Sequence, residues 1–234
     1  MQQKMLDARL SLAFDLYDPC EMAADIGTDH AHLPAALLQR GRCRHMILTD
    51  ISKSALENAR MEIIRLCLTD RVSLRLGDGL EPVSEKCGMI SVMGMGGRTI
   101  RDILLNGKDR LQGASLILSA HTDWHLIRAA VRQIGYHLDR EEPCFAAGRY
   151  YLVLRARPGE KLITDREIRL GGPLFRSESD VLIPFVRRRK EVLGERLKGL
   201  SSSTFPDESE MNILKSDLEF YEDFLSRHPL DLYE

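Results

Sequence analysis

Ala24-Asp25-Ile26-Gly27-Thr28-Asp29-His30 is the stretch of the 234-residue chain that decides the fold. The apolar residues 22–26 form a strand candidate, and residues 31–40 show a helical pattern. Gly27 lets the backbone turn sharply between the two and approach a ligand closely. A helix that starts at such a turn points its N–H groups at the same place. This order predicts the first unit of an open α/β sheet, whose ligands bind at the carboxyl ends of the strands.

The sequence outward from this stretch alternates short apolar runs with helical patterns. Helices are predicted over residues 5–16 and 52–68, and from Arg98 and Trp124 onward. The further strand candidates are residues 45–49, 72–76, 89–93 and 115–118, followed by residues 136–144 and 149–157, which Phe145-Ala146-Ala147-Gly148 joins as a hairpin. We therefore expect an α/β fold with a Rossmann-like sheet, parallel except for an antiparallel C-terminal hairpin.

Two long helical patterns follow the glycine- and proline-rich punctuation at residues 158–159 and 171–173. The second pattern, which Asp207 is placed to cap, has the alternating 3- and 4-residue spacing of a coiled-coil seam at Met211, Leu214, Leu218, Tyr221 and Leu225. The short linker at residues 201–206 predicts an antiparallel, coiled-coil-like pair. The predicted domains are residues 1–160, which bind the cofactor, and residues 161–234, which form an α-helical hairpin.

The composition narrows the class of protein. A net charge of −2 argues against coating nucleic acid by bulk charge, although a local basic face stays open. No stretch approaches the roughly 20 apolar residues that span a bilayer, and residues 1–5 lack the apolar core of a signal peptide. The five cysteines are scattered without CxxC spacing. We therefore expect reduced thiols, no metal and no membrane, in a cytoplasmic protein.

A second acid indicates the type of ligand. Asp50, followed by Ile51, ends the second predicted strand, where a carboxylate can accept both ribose hydroxyls of a nucleoside. A dinucleotide usually needs several glycines around its pyrophosphate, whereas this turn has one glycine and the added carboxylate of Asp29. The turn therefore favours S-adenosyl-L-methionine over NAD. The alternative is that Asp25 and Asp50 merely cap helices.

Two further loops follow predicted strands. Gly77-Asp78-Gly79-Leu80 is placed to meet the adenine, unless it is a simple turn. Met93-Gly94-Met95-Gly96-Gly97 lets the backbone pass close to the cofactor methyl group, and it lacks the Asn/Asp-Pro-Pro-aromatic motif of many amino-group methyltransferases. The predicted cofactor site comprises Asp25, Gly27, Asp29, His30, Asp50, Ile51, Gly77, Asp78, Gly79, Met93 and Gly94.

These motifs resemble a known family. The run from Asp25 to Pro34 resembles the D-I-G-S-D-H-A-Y-L-P signature of TrmK-like bacterial tRNA (adenine-N1)-methyltransferases, and Gly94-Met95-Gly96-Gly97 resembles their G-M-G-G loop. Arg9-Leu10, Gly172-Pro173-Leu174 and the closing helical hairpin also match. The sequence departs from the family after the fifth strand, where His121 and its neighbours replace Gln-Pro, and in the hairpin, which lacks the acidic E-D-G-K-x-Y-E run.

The resemblance implies a class I S-adenosylmethionine-dependent methyltransferase acting on N1 of adenosine at position 22 of tRNA. For this reaction the predicted catalytic residues are Asp29 and His30, with Gly94 and Met95 as the floor of the active site. Asp29 tolerates the developing cation or, as an equal alternative, holds the methionine ammonium. His30 assists it, caps the first helix or satisfies a backbone carbonyl.

The implied partner is tRNA, with no metal and no membrane. Its predicted contacts are Arg9, Arg149, Tyr150, Arg187 and Arg188, each of which could instead be a solvated surface residue. The alternatives are a methyltransferase of another RNA or of a small molecule, and a non-catalytic cofactor-binding module. The sequence leaves the oligomeric state open, with a monomer as one option.

Overall fold

A computed structural model describes residues 6–203, 205 and 207–228. By its internal contacts the chain divides into two compact units, one that runs up to Ser177 and one that begins at Glu178. Residues 161–177 thus pack with the first unit, whereas the sequence places them in the second domain. The expected division into a catalytic and a helical domain at residues 160/161 stays a prediction.

The first unit is built on a seven-stranded sheet in the order β3-β2-β1-β4-β5-β7-β6. Strands β1 to β5 are parallel, and β7 runs antiparallel to both β5 and β6. The strands are β1 (Cys20–Ile26), β2 (Cys43–Asp50), β3 (Val72–Leu76), β4 (Met89–Met95), β5 (Ser115–Ala120), β6 (Tyr136–Ala146) and β7 (Arg149–Pro158). This topology confirms the predicted Rossmann-like sheet with an antiparallel C-terminal hairpin.

Helices follow β1, β2, β4 and β5, whereas residues 77–88 join β3 to β4 without a helix. The helices of this unit are α1 (Ala8–Leu16), α2 (His32–Gln39), α3 (Lys53–Arg65), α4 (Gly97–Asn106), α5 (Trp124–Gln133) and α6 (Asp165–Leu170). Asp7 caps α1 by accepting from the Leu10 N–H, and Ser52 caps α3 by accepting from the Ala55 N–H. The central strands β1, β4 and β5 are buried over most of their length, since helices cover the sheet.

The hairpin turn is tighter than the sequence suggests. Ala147 and Gly148 both have positive φ, 47° and 74°, which two-residue hairpin turns of the primed types require. Phe145 and Ala146 therefore belong to β6 and pair with Tyr150 and Arg149. The predicted four-residue connection is wrong by these two residues.

A buried ion pair joins residues 168–174 to the sheet. Arg128 on α5 and Glu141 on β6 are 2% and 0% exposed, and their side chains meet at 2.6 Å. The second carboxylate oxygen of Glu141 accepts from the backbone N–H groups of Gly172 and Leu174, while Arg128 donates to carbonyls at the end of α6. These bonds explain why residues 161–177 pack with the first unit.

The second unit contains α7 (Leu182–Ser201) and α8 (Glu208–Ser226). Arg196 pairs with Glu210, and Lys190 pairs with Glu222. Residues near the end of α7 therefore contact residues near the start of α8. This arrangement confirms an antiparallel pair. Asp207 caps α8 by accepting from the Glu210 N–H at 3.0 Å, as predicted. Residues 204 and 206 of the linker lie outside the described residues.

Candidate functional site

A cleft of about 470 Å³ opens at the carboxyl ends of β1, β2, β4 and β5. Its position is the one where ligands bind in open α/β sheets. The cleft brings together residues that the sequence places in one site: Arg9, Asp25, Gly27, Asp29, His30, Asp50, Met93, Gly94 and Met95.

Asp25 is the buried carboxylate of the cleft. It is 8% exposed, and its Oδ1 accepts from the Ser91 hydroxyl at 2.5 Å. Burial raises the pKa of Asp25 from 3.8 to about 6, against the opposing effect of the hydrogen bond from Ser91. The Thr28 Oγ1 atom is buried with no hydrogen-bond partner among the described residues. Asp25 makes no ion pair with a cation among the described residues, and a buried carboxylate of this kind beside an unpaired hydroxyl suits a ligand that carries a positive charge and a donor.

Asp50 and the loop after β3 meet at the next edge of the cleft. The Asp50 Oδ1 atom accepts from the Ser52 N–H at 2.8 Å, and its carbonyl accepts from the Gly77 N–H at 3.1 Å. The Gly79 carbonyl accepts from the Thr49 hydroxyl at 3.2 Å. These hydrogen bonds hold the loop of residues 77–79 beside the end of β2. Asp78 is exposed there, outside the cleft lining.

Ile51 follows Asp50 and is 73% exposed. An isoleucine this exposed at a strand end offers an apolar surface to a flat ligand group. The structure thus places Ile51 and the loop of residues 77–79 together on the β2–β3 side, although neither lines the cleft itself.

Helix capping does not explain the two acids of the cleft. The N-cap of α2 is Ala31, with φ 51° and no side-chain cap, and the N-cap of α3 is Ser52. Asp25 and Asp50 are therefore free of that role, and the interpretation of His30 as the cap of α2 is wrong.

The polar side chains of the turn after β1 contact one another at the surface. Asp29 accepts from the Asn58 side-chain amide at 3.1 Å, and its other oxygen lies 3.2 Å from His30 Nε2. The rings of His30 and His32 stack with centroids 5.5 Å apart. Asn58 belongs to α3, so Asp29 is held on the β2 side of the turn.

The glycine loop after β4 folds against that turn. Gly94 has φ 78°, at an irregularity of the β4–β5 pairing between Met93 and Met95. The Met95 side chain packs directly on Gly27, where an added Cβ would lie 1.9 Å from the methionine methyl group. A Cβ on Gly97 would lie 2.5 Å from the Asp123 carbonyl oxygen. Close approach, in addition to turning, thus accounts for this glycine-rich loop.

The structure adds two residues that the sequence analysis did not select. His121, just after β5, lines the cleft, and its Nε2 lies 3.0 Å from the Gly94 carbonyl oxygen. The Tyr151 ring contacts both His121, at 6.0 Å between centroids, and the Arg9 guanidinium, at 5.2 Å. The signal available for His121 was its place at the carboxyl end of a predicted strand.

The remaining predicted substrate contacts lie outside this cleft's lining. Tyr150 packs against Phe145 with centroids 4.9 Å apart, and Arg149 is exposed at the hairpin turn. Arg187 and Arg188 lie on α7 in the second unit, where Arg188 pairs with Glu191 at 2.9 Å.

The described residues show neither a metal-binding cluster nor a membrane-spanning helix. Among the described residues, no three His, Cys, Asp or Glu side chains are grouped to hold a metal ion, and all five cysteines are free thiols. Within the same residues no helix has the length and apolar character needed to cross a membrane.

The sequence profile of the methyltransferase domain family matches residues 6–154, which contain the whole cleft. The chain therefore belongs to the methyltransferase domain class. A curated relative, the tRNA (adenine(22)-N(1))-methyltransferase of Bacillus subtilis, is 31% identical over 163 residues, which cover 69% of this chain and 68% of the relative. Within its class, the chain belongs to the TrmK family of tRNA (adenine(22)-N(1))-methyltransferases.

Solved structures share the fold over nearly the whole chain. A Streptococcus agalactiae protein of the NADB-Rossmann superfamily is 25% identical with a TM-score of 0.84, over 96% of this chain and 99% of that one. The Bacillus subtilis m1A22 tRNA methyltransferase TrmK is 24% identical with a TM-score of 0.83, over 94% and 99%. TrmK of M. capricolum, in complex with S-adenosyl-homocysteine, is 22% identical with a TM-score of 0.80, over 95% of this chain and 98% of that one.

Proposed function

We propose that this protein transfers the methyl group of S-adenosyl-L-methionine to N1 of adenosine 22 in tRNA. The observation that carries the proposal is that Asp25 and Asp50, at the ends of the neighbouring strands β1 and β2, line one cleft together with Gly94. Similarity to the curated relative, whose name states this activity, supports the choice of substrate.

The cofactor roles follow from charge and burial. Asp25, which is buried and has no cation partner in the part of the chain that the structure describes, would accept the methionine ammonium, and Thr28 Oγ1 would find a partner there. Asp50 would accept the ribose hydroxyls. Ile51 and the loop of residues 77–79, with Gly77, Asp78 and Gly79, would border the adenine. S-adenosyl-L-methionine supplies an electrophilic methyl group on a sulfonium.

N1 of adenine carries a lone pair, so the reaction needs alignment more than a strong base. The lone pair forms the N–C bond as the C–S bond breaks, and its electrons stay on sulfur. N1 lies on the Watson–Crick edge, so the base must be unpaired or extruded. Gly94 and Met95 would form the floor on which base and methyl group align.

Asp29 and His30 have two possible roles in this scheme. As a catalytic carboxylate, Asp29 would stabilise the cation that forms on adenine, with His30 beside it. As a cofactor ligand, it would hold the ammonium together with Asp25. The hydrogen bond from Asn58 on α3 favours the cofactor side. A loss of turnover alone would indicate the first role, and a loss of cofactor affinity the second.

Phosphate contacts would come from both units. Arg9 at the cleft, Arg149 and Tyr150 on the hairpin, and Arg187 and Arg188 on α7 are the proposed tRNA contacts. The α7–α8 pair is proposed to act as a coiled-coil-like arm, and the protein to work in the cytoplasm, where its substrate is.

The test is incubation of the full chain with labelled S-adenosyl-L-methionine and tRNA transcripts, followed by nucleoside analysis. We expect N1-methyladenosine, and none when guanosine replaces adenosine at position 22. Tight cofactor binding without tRNA labelling would remove the substrate assignment and leave the class intact.

A further inference from the structure

His121, Tyr151 and Arg9 form one contact cluster at the β5 side of the cleft. Tyr151 is the centre, since Arg9 lies over its ring and His121 meets it at 63° between ring planes. Arg9 also reaches the glycine loop, where an added Cβ on Gly94 would lie 3.9 Å from its Nη1. The imidazole is thus held between Tyr151 and the Gly94 carbonyl, on the wall of the cleft.

The contact with Gly94 fixes which ring nitrogen of His121 carries the proton. A carbonyl oxygen only accepts, so Nε2, 3.0 Å away, must be the donor. In the neutral ring Nδ1 is then an acceptor. Among the described residues Nδ1 has no hydrogen-bond partner. His121 therefore presents an oriented acceptor in a wall that otherwise offers the Arg9 cation.

The strand order places this acceptor opposite the carboxylates. β1, which carries Asp25, is separated from β5 by β4, so His121 lies two strand spacings away, roughly 10 Å. Asp50 on β2 is one spacing further. A nucleoside held by Asp25 and Asp50 leaves the β4–β5 side, beyond Gly94, for the molecule that receives the methyl group.

We propose that His121 Nδ1 accepts a hydrogen bond from the exocyclic amino group of the target adenine, which makes His121 a specificity-determining residue. This inference rests on the proposed function. The amino group is next to N1, so an acceptor beside the methyl-transfer point can reach it when N1 is aligned. Guanine presents a carbonyl oxygen in the same place, and two acceptors would face each other. A site built to bond a donor discriminates against bases without it.

Tyr151 and Arg9 are positioning residues in this proposal. The Tyr151 edge fixes the plane of the imidazole, and Arg9 covers one face of the tyrosine ring. Tyr151, rather than Tyr150, thus belongs to the base-binding wall.

The experiment compares two full-length tRNA substrates, one with adenosine and one with purine riboside at the target position. Purine riboside keeps the N1 lone pair and lacks the amino group. The readout is the ratio of kcat/KM for the two substrates, in which the effect of a variant on general activity cancels. We expect His121→Phe to reduce the wild-type ratio roughly tenfold, the upper range for one neutral hydrogen bond.

Two amide variants separate reading of the base from support of the loop. Asparagine places an acceptor where Nδ1 lies, one bond from Cγ, whereas glutamine places a donor where Nε2 lies. We expect His121→Asn to keep most of the wild-type ratio and His121→Gln to lose it. The reverse order, or a ratio unchanged in His121→Phe, would overturn the proposal.

His137→Phe is the matched control, because His137 is a partly exposed histidine whose Nδ1 contacts a backbone carbonyl, that of Gly159, away from the cleft. It should keep the wild-type ratio, and thermal unfolding should show every variant folded. A wild-type protein that methylates neither substrate overturns the proposed function and the role of His121 with it. An active wild type with a preference that His121→Phe leaves intact overturns only the role of His121.

Discussion

Asp25 makes cofactor affinity depend on pH in a way that can be worked out from the structure. Its carboxyl is buried, with a pKa raised from 3.8 to about 6 by desolvation. An ammonium ligand binds the ionised carboxylate, so binding to protein in which Asp25 is protonated requires that the proton be released. Affinity should therefore be constant well above pH 6 and fall as the pH drops through that value.

The size of the effect follows from the pKa. One pH unit below a pKa of about 6, roughly one-tenth of the carboxyls are ionised, so affinity at pH 5 should be about tenfold weaker than at pH 8. The raised pKa also makes ionisation of Asp25 costly by about 3 kcal/mol in the ligand-free protein. Because the folded pKa exceeds the unfolded one, this group favours folding at low pH. That contribution is lost between about pH 4 and 6.

The assay is calorimetric titration with S-adenosylhomocysteine at pH 8 and at pH 5, for the wild type and Asp25→Asn. The variant should bind roughly ten- to a hundredfold more weakly at pH 8, as expected for a lost charge-assisted hydrogen bond. Its affinity should no longer change between the two pH values. A variant that keeps the full wild-type pH dependence would refute the assignment of the titrating group to Asp25.

Three further outcomes are expected. Gly97→Ala, whose Cβ would meet the Asp123 carbonyl at 2.5 Å, should lower Tm and turnover together, whereas Gly96→Ala, with open space around it, should change neither; equal effects would contradict the packing argument. Arg128→Met should destabilise by about 3–5 kcal/mol in denaturant titrations, because it strands a buried carboxylate; a loss below about 1 kcal/mol would show the ion pair to be dispensable. Asp29→Asn should lower kcat with cofactor Kd unchanged if Asp29 is catalytic; a weaker Kd with unchanged kcat would assign it to the cofactor.

The sequence predicts the sheet well because its strands are buried runs separated by strong punctuation. β3 was predicted at its observed bounds, and β1, β2, β4 and β5 differ only at their ends. β4 extends to Met95 because the Gly94 irregularity keeps the strand paired with β5 beyond the glycine. Local pattern carries no information about such pairing, since it depends on the neighbouring strand.

In the site, too, residues at strand ends could be predicted from local sequence, whereas contacts between distant elements could not. Asp25, Gly27 and Asp50 could be found from the sequence because strand ends are local features. The Arg128–Glu141 pair could not, since its residues lie on different elements and their burial depends on residues 168–174. Tyr150 and Tyr151 alternate across a strand, and only the packing of Phe145 on one side and Arg9 on the other decides which ring reaches the cleft.

The proposed reaction also gives a reason for the distribution of charge across the cleft. Asp25, Asp29 and Asp50 lie on the side proposed for the cofactor, which begins with an ammonium and a sulfonium. The transfer moves one positive charge from sulfur to the adenine ring, toward His121. A neutral imidazole held as an acceptor attracts that charge, whereas a second cation beside Arg9 would oppose it. The contact with the Gly94 carbonyl selects the tautomer of the neutral ring that presents Nδ1 to the base, so the loop that aligns the methyl group also orients the acceptor in the wall that receives it.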